Sequence, residues 1–272
     1  MKNELTISIL GCGWLGLPLG SFLYEKGYSI KGSTRDKQKI ASIKESNIKP
    51  YLLALEPEII CERKEDFFNA DVLVINIPPP RREDVAEYHL AQIKSLMEES
   101  IRAEIKKVLF ISSTSVYPET NDVVYESETL SPNKPSGIAL KRVENMLLGS
   151  FAFKTTVLRL AGLIGYDRNP RNFLKKRRVV HKIDAPVNLV HRDDCISVIY
   201  QVIKNDIWGK TYNVCCDEHP TRTAFYKNEA EIANMKELKV EFEKPVSYKI
   251  VSNKKLKEEL GYEFIYPSPL EI

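Results

Sequence analysis

A chain of 272 residues with 43% hydrophobic and 28% charged side chains can bury the core of one large α/β domain, or of a nucleotide domain with a smaller partner region. Its charges nearly cancel, 40 basic against 37 acidic for a net +3, which argues against a general nucleic-acid binder. No apolar run approaches the ~20 residues that span a bilayer, and Met1-Lys2-Asn3-Glu4 leads straight into the first predicted strand, so a cytoplasmic protein without a membrane segment is expected. The cysteines (Cys12, Cys61, Cys195, Cys215, Cys216) are odd in number and lack ligand spacing, and the histidines add none. Buried free thiols and no metal follow.

The first predicted strand, Ile7 to Leu10, breaks into Gly11-x-Gly13-x-x-Gly16, and an apolar helical pattern follows at Leu15, Leu17, Leu19, Phe22 and Leu23. Gly11 permits the tight turn, Gly13 lets a phosphate approach the backbone, and Gly16 lets the helix pack close to the sheet. The N–H groups at the helix start, over Gly13, Trp14, Leu15 and Gly16, suit the pyrophosphate of a dinucleotide. A second strand, Tyr28 to Ser33, runs into Ser33-Thr34-Arg35 where an NAD-preferring site would place a carboxylate for the adenosine ribose. Hydroxyls and a guanidinium suit a 2′-phosphate instead, which favours NADP, with NAD the alternative. Asp36 is read as the start of the next helix.

Lys49 to Leu55 is a third predicted strand and Asp71 to Ile77 a fourth, closed by Pro78-Pro79-Pro80, which cannot donate ladder hydrogen bonds. Ile77 and Pro78 therefore leave the sheet at the edge where open α/β folds bind ligands, and they join the candidate cofactor site. Arg81 to Ser100 carries a helical apolar stripe, and Val108 to Ile111 is a fifth strand. The alternation implies an α/β fold with a doubly wound parallel sheet.

The fifth strand runs into Ser112-Ser113-Thr114-Ser115-Val116-Tyr117-Pro118. With Thr156 to Gly165, Asn188 to Asp194 and Lys210 to Val214, this segment makes the chain resemble the short-chain dehydrogenase/reductase superfamily, in its NAD-dependent epimerase/dehydratase branch. The resemblance implies a Rossmann-type nucleotide domain over residues 1–165 and a smaller substrate-side region over 166–272, which returns to the sheet through Thr211 to Val214. It also implies a catalytic, substrate-contacting hydroxyl on Ser113. The superfamily's catalytic pair is Tyr-x-x-x-Lys on the next helix, the lysine binding the nicotinamide ribose and lowering the tyrosine pKa from about 10. On that pattern Lys141 fits the lysine, and Gly137 occupies the tyrosine position, with an open space expected where the phenol would stand. Tyr200-Gln201-Val202-Ile203-Lys204 has the spacing but belongs to the helix after Asp193-Asp194. Tyr125, in the loop from Glu119 to Leu130, is the first candidate for the missing acid. Tyr117 is read as a packing residue.

Arg168 to Arg178 concentrates basic residues on the expected substrate side, with Arg168 the foremost candidate for an anionic substrate. His191 is read as structural, bonded to the turn that opens the next helix. Ala224 to Met235 and Asn253 to Leu260 are further predicted helices, the second stopped by Gly261. The expected activity is an NAD(P)-dependent oxidoreductase or epimerase acting on a small, anionic carbonyl or hydroxyl compound. The alternative is a dinucleotide-binding redox sensor or scaffold without turnover.

Overall fold

The computed structural model describes residues 5–128, 131–171, 179–180, 184–235, 239–240 and 247–272. Its centre is a seven-stranded sheet in the order β13-β9-β7-β6-β1-β2-β3. These strands are β1 (Thr6–Leu10), β2 (Ser29–Thr34), β3 (Lys49–Leu52), β6 (Val72–Ile75), β7 (Lys107–Ser113), β9 (Lys154–Leu160) and β13 (Thr211–Val214). β1 pairs in parallel with both β2 and β6, β2 with β3, and β6 with β7. Ile7, Ile9, Leu73, Val74, Leu109 and Phe110 are all 1% exposed or less, as expected of strands covered on both faces. The doubly wound α/β architecture expected from the sequence is therefore the one observed. Strand order reverses at β1 and β6, so the loops leaving these two strands face each other where such sheets bind ligands.

The third predicted strand is shorter than expected. β3 stops at Leu52, and the chain turns back as an antiparallel hairpin of β4 (Ala54–Leu55) and β5 (Ile59–Ile60). Pro57, which has no N–H to donate, sits in the hairpin turn. The helices of this region are α1 (Gly16–Glu25), α2 (Ile40–Glu45), α3 (Lys64–Phe68), α4 (Val85–Arg102) and α5 (Pro135–Leu148). None of the described helices is long and apolar enough to cross a membrane.

Contacts divide the chain into two compact units that alternate along the sequence. The first comprises Met1–Val116, Pro132–Leu158 and Ile199–Thr211; the second comprises Tyr117–Ser131, Arg159–Val198 and Tyr212–Ile272. The second unit holds small parallel ladders: β8 (Val123–Val124) with β15 (Ile250–Val251), β10 (Gly162–Ile164) with β12 (Leu189–His191), and β11 (Val179–Val180) with β14 (Lys239–Val240). β12 passes directly into α6 (Arg192–Lys204). The fully buried Asp194 carboxylate accepts hydrogen bonds from the Tyr262 hydroxyl (2.8 Å) and from the N–H groups of Ile265 (2.7 Å) and Tyr266 (3.2 Å). That carboxylate thus fastens the tail segment within this unit. Further on lie α7 (Arg222–Ile232) and α8 (Lys254–Leu260), and α8 stops at Gly261 with φ 58°, the left-handed cap expected there.

Candidate functional site

The glycine turn after β1 is held by the protein's own groups. Gly11 has φ +98°, and a Cβ there would lie 2.5 Å from the Asn76 carbonyl oxygen and 3.0 Å from the Ile77 side chain. A Cβ on Gly16 would lie 2.2 Å from the Gly11 carbonyl oxygen. Both glycines are thus required by close backbone packing. The Gly11 N–H donates to the Ser33 hydroxyl (3.1 Å), the Cys12 N–H to the Ser33 carbonyl (2.8 Å), and the Asn76 side-chain amide to the Gly11 carbonyl (3.0 Å). Burial pushes the Cys12 thiol up to about 12, so it remains protonated.

Gly13 differs from its neighbours. It is exposed, and a Cβ added there would meet nothing within 4 Å. The fold does not need glycine at this position for its own packing, yet leaves it bare at the start of α1. There α1 begins at Gly16, and the first N–H groups of a helix point out of its N-terminus. Leu15 is 4% exposed and so belongs to the core beneath the turn. A pyrophosphate fits this arrangement, because a bare backbone and a helix N-terminus are what it requires.

Around the turn, the sequence-predicted residues take distinct places. Ser33 is 2% exposed, and its hydroxyl is drawn inward to the turn, so it shapes the site from beneath. Thr34 is also buried, its hydroxyl accepting the Asp36 N–H (3.1 Å). Asp36 caps the short 3-10 helix Lys37–Lys39 by accepting the Gln38 N–H (3.0 Å), the helix-start role expected of it. Arg35 lies exposed just past the end of β2. Ile77 and Pro78 leave β6 beside the turn, with Ile77 against Gly11. Asn76 was missed by sequence reasoning. Its signal is a lone amide ending an apolar strand one step before the loop that enters the prolines.

A second group lies at the end of β7. The Ser113 hydroxyl accepts the Ser115 N–H (3.1 Å), which leaves its own O–H proton to donate. One residue earlier, the buried Ser112 hydroxyl donates to the fully buried Glu144 carboxyl (2.6 Å), pinning β7 to α5. Lys141 is half-buried on α5. The open space expected at Gly137 is absent. A Cβ there would stand 2.3 Å from the Ser115 carbonyl oxygen and 3.0 Å from the Pro132 side chain, because the helix backbone presses directly on the turn after β7.

Tyr125 and Arg168 belong to the second unit. Tyr125 is 44% exposed. Arg168 is exposed and closes a tight turn with Gly165, its N–H donating to the Gly165 carbonyl (3.1 Å). Most of the basic run, residues 172–178, lies outside the described residues. Tyr117 is 2% exposed, donates to Asn213 Oδ1 (2.7 Å) and accepts from Arg159 Nη1 (2.7 Å). Burial pushes its phenol up to about 12, which suits packing and not a base. His191 accepts the Asp193 N–H on Nδ1 (3.2 Å) and lies against Tyr266 with ring centres 3.9 Å apart. Burial lowers its pKa, which favours the neutral imidazole, and the Nδ1 contact with the turn that opens α6 is the one expected from the sequence. A cavity of about 340 Å³ within this unit is lined by His191, Tyr166, Asn169, Arg171 and Tyr266, among others. Among the described residues Arg171 is a basic side chain lining it, braced by Asn169 Oδ1 at 2.7 Å.

Comparison with known proteins agrees with this geometry. Residues 79–215 match the model of the NAD-dependent epimerase/dehydratase family. The chain is 32% identical to Protein YeeZ of Escherichia coli (strain K12) over 269 residues, 97% of each chain. A functionally unknown conserved protein from Silicibacter pomeroyi superposes with a TM-score of 0.81 at 24% identity, covering 98% of this chain and 97% of that one. UDP-glucuronic acid 4-epimerase from Bacillus cereus, in complex with UDP-glucuronic acid and NAD, also gives 0.81, at 18% identity over 98% of this chain and 96% of its own. A bare glycine turn at the sheet's reversal point, a serine-tipped β7 and a full-length relative all lead to one assignment: the chain belongs to the NAD-dependent epimerase/dehydratase family.

Proposed function

We propose that the chain binds an NAD(P) dinucleotide at the Gly11–Gly16 turn and acts as an oxidoreductase or epimerase on a small anionic carbonyl or hydroxyl compound. The observation that carries this reading is the contrast at the turn: Gly11 and Gly16 are closed in by backbone, and Gly13 is open. Once bound, the dinucleotide supplies the hydride acceptor or donor. The chain's own part is to hold it. The backbone over Gly13, Trp14, Leu15 and Gly16 is the proposed pyrophosphate contact, Ser33 and Asn76 keep the turn in shape, Thr34 holds the Asp36 N–H next to Arg35, and Ile77 and Pro78 flank the turn. Arg35, at a strand end without a carboxylate, supports NADP over NAD through a guanidinium–phosphate contact. The Ser113 O–H is available to orient a substrate oxygen, and Arg168 is the proposed contact for its anionic group. The nucleotide-sugar complex of the Bacillus cereus epimerase supports an anionic substrate of this kind.

Gly13→Asp tests the site. It places a carboxylate where the pyrophosphate would lie, with room for the side chain, so the variant folds and loses NAD(P)H binding by at least about a hundredfold in fluorescence titration. Unchanged affinity places the dinucleotide elsewhere. Binding without turnover is the second reading, favoured by the lack of room for any acid at Gly137. It is distinguished by NAD(P)H oxidation across a carbonyl panel, with Ser113→Ala and Tyr125→Phe as controls. Turnover that both substitutions abolish excludes the second reading.

A further inference from the structure

Gly137 fixes the phase of α5. With the Ser115 carbonyl 2.3 Å from where its Cβ would be, no side chain stands at this position, and a Tyr-x-x-x-Lys register through Gly137 and Lys141 has no place for its first member. The same spacing slides by one residue in either direction. Sliding forward gives Ile138 and Arg142. Arg142 reaches α4, where Nη1 pairs with Glu87 Oε1 at 2.7 Å, so that register faces the neighbouring helix and not the end of β7. Sliding back gives Ser136 and Leu140. Ser136 is exposed in the first turn, whereas Gly137 is buried, and Leu140 is 3% exposed. Leu140 follows Ser136 by one turn and precedes Glu144 by another, and Glu144 is the residue that grips Ser112 beneath Ser113.

We infer that Ser136 and Leu140 occupy the positions of the catalytic tyrosine and lysine, so this chain lacks both members of the pair and Lys141 is not the ribose-binding lysine. The inference rests on the dinucleotide reading of the glycine turn. It deepens that reading by removing a cation from the nicotinamide end of the site. An aliphatic hydroxyl at Ser136 does not ionise as a phenol does, and Leu140 brings no charge to lower a neighbour's pKa. Whatever proton transfer the protein performs does not run through a tyrosinate on α5.

Two measurements test this, one of them independent of any cofactor. In thermal melts, Gly137→Ala lowers the midpoint by roughly 2–10 °C, whereas Ser136→Ala and Ser136→Tyr stay within about 2 °C of wild type. A Gly137→Ala protein as stable as wild type overturns the register. In NADPH and NADH titrations, Lys141→Ala stays within about twofold of wild type, and Leu140→Lys, which adds a cation beside the ribose, binds about tenfold tighter or more. A loss of tenfold or more in Lys141→Ala overturns the inference and restores Lys141 to the ribose. Should Leu140→Lys fail to fold, the Lys141→Ala titration and the melts decide. A wild-type protein that binds neither dinucleotide refutes the cofactor reading instead, and the melts still judge the register.

Discussion

At the scale of single residues, Ser112 and Glu144 form a buried pair whose loss is measurable. Ser112→Ala removes a hydroxyl donor from a fully buried carboxyl group, which costs about 1–3 kcal/mol and lowers the melting midpoint by several degrees. An unchanged midpoint removes the pair from the account of how β7 is held to α5. Arg35 carries a different kind of prediction. One charge-assisted contact is worth about 1.5–3 kcal/mol, roughly 10- to 150-fold in affinity, so Arg35→Ala weakens NADPH by that factor and NADH little. Equal losses for both dinucleotides, or tighter wild-type binding of NADH, reject the NADP preference. The residue scale is also where the sequence was least legible. Gly137 reads as a gap left by a missing side chain, because the sequence does not contain the Ser115 carbonyl that fills it. Asn76 escapes notice because its partner, the Gly11 carbonyl, lies 65 residues away.

Elements were far easier to read. The buried parallel strands β1, β6 and β7 are short apolar runs with abrupt ends, and the helices between them carry apolar stripes, so burial and periodicity coincide. Where two influences compete, the reading slips. Lys49 to Leu55 has the composition of one strand, but Pro57 bends the chain into a hairpin and only Lys49–Leu52 remains in the sheet. The loop leaving β6 gives a prediction at this scale. Asn76→Leu removes the amide that holds the Gly11 carbonyl while keeping side-chain bulk beside Gly16, so the turn loosens. NAD(P)H binding then weakens by about tenfold or more, with a smaller effect on the melting midpoint. Loss of fold and binding together would mean that the amide supports the sheet as a whole and not the turn.

Across the whole molecule, stability depends on keeping imidazoles neutral. His89 in α4 is fully buried, its Nδ1 lies 3.2 Å from Gln92 Oε1, and among the described residues its Nε2 has no hydrogen-bond partner. Burial lowers its pKa, as it does for His191 and His219. A folded-state pKa below the unfolded 6.5 means that the unfolded chain takes up protons first. These groups therefore contribute stability that is present above 6.5 and lost as pH falls through their lowered folded values. The buried carboxyls Glu126, Asp194 and Glu229, raised by burial, act with the opposite sign from their own lower starting values. Urea midpoints fall between about pH 7 and pH 5, and fall less steeply in His89→Gln. An identical slope in the variant excludes His89 as a contributor.

The alternation of the two units along the sequence has a consequence for how the protein is made. The glycine turn leaves the ribosome long before its unit is complete, because that unit also needs Ile199–Thr211. Until then the nascent chain carries a finished glycine turn on an unfinished sheet, whose late strands β9 and β13 come from distant parts of the message. A nascent chain stalled at Gly165 therefore stays protease-sensitive and fails to retain dinucleotide, whereas one stalled with Val214 clear of the exit tunnel becomes protease-resistant and retains dinucleotide together.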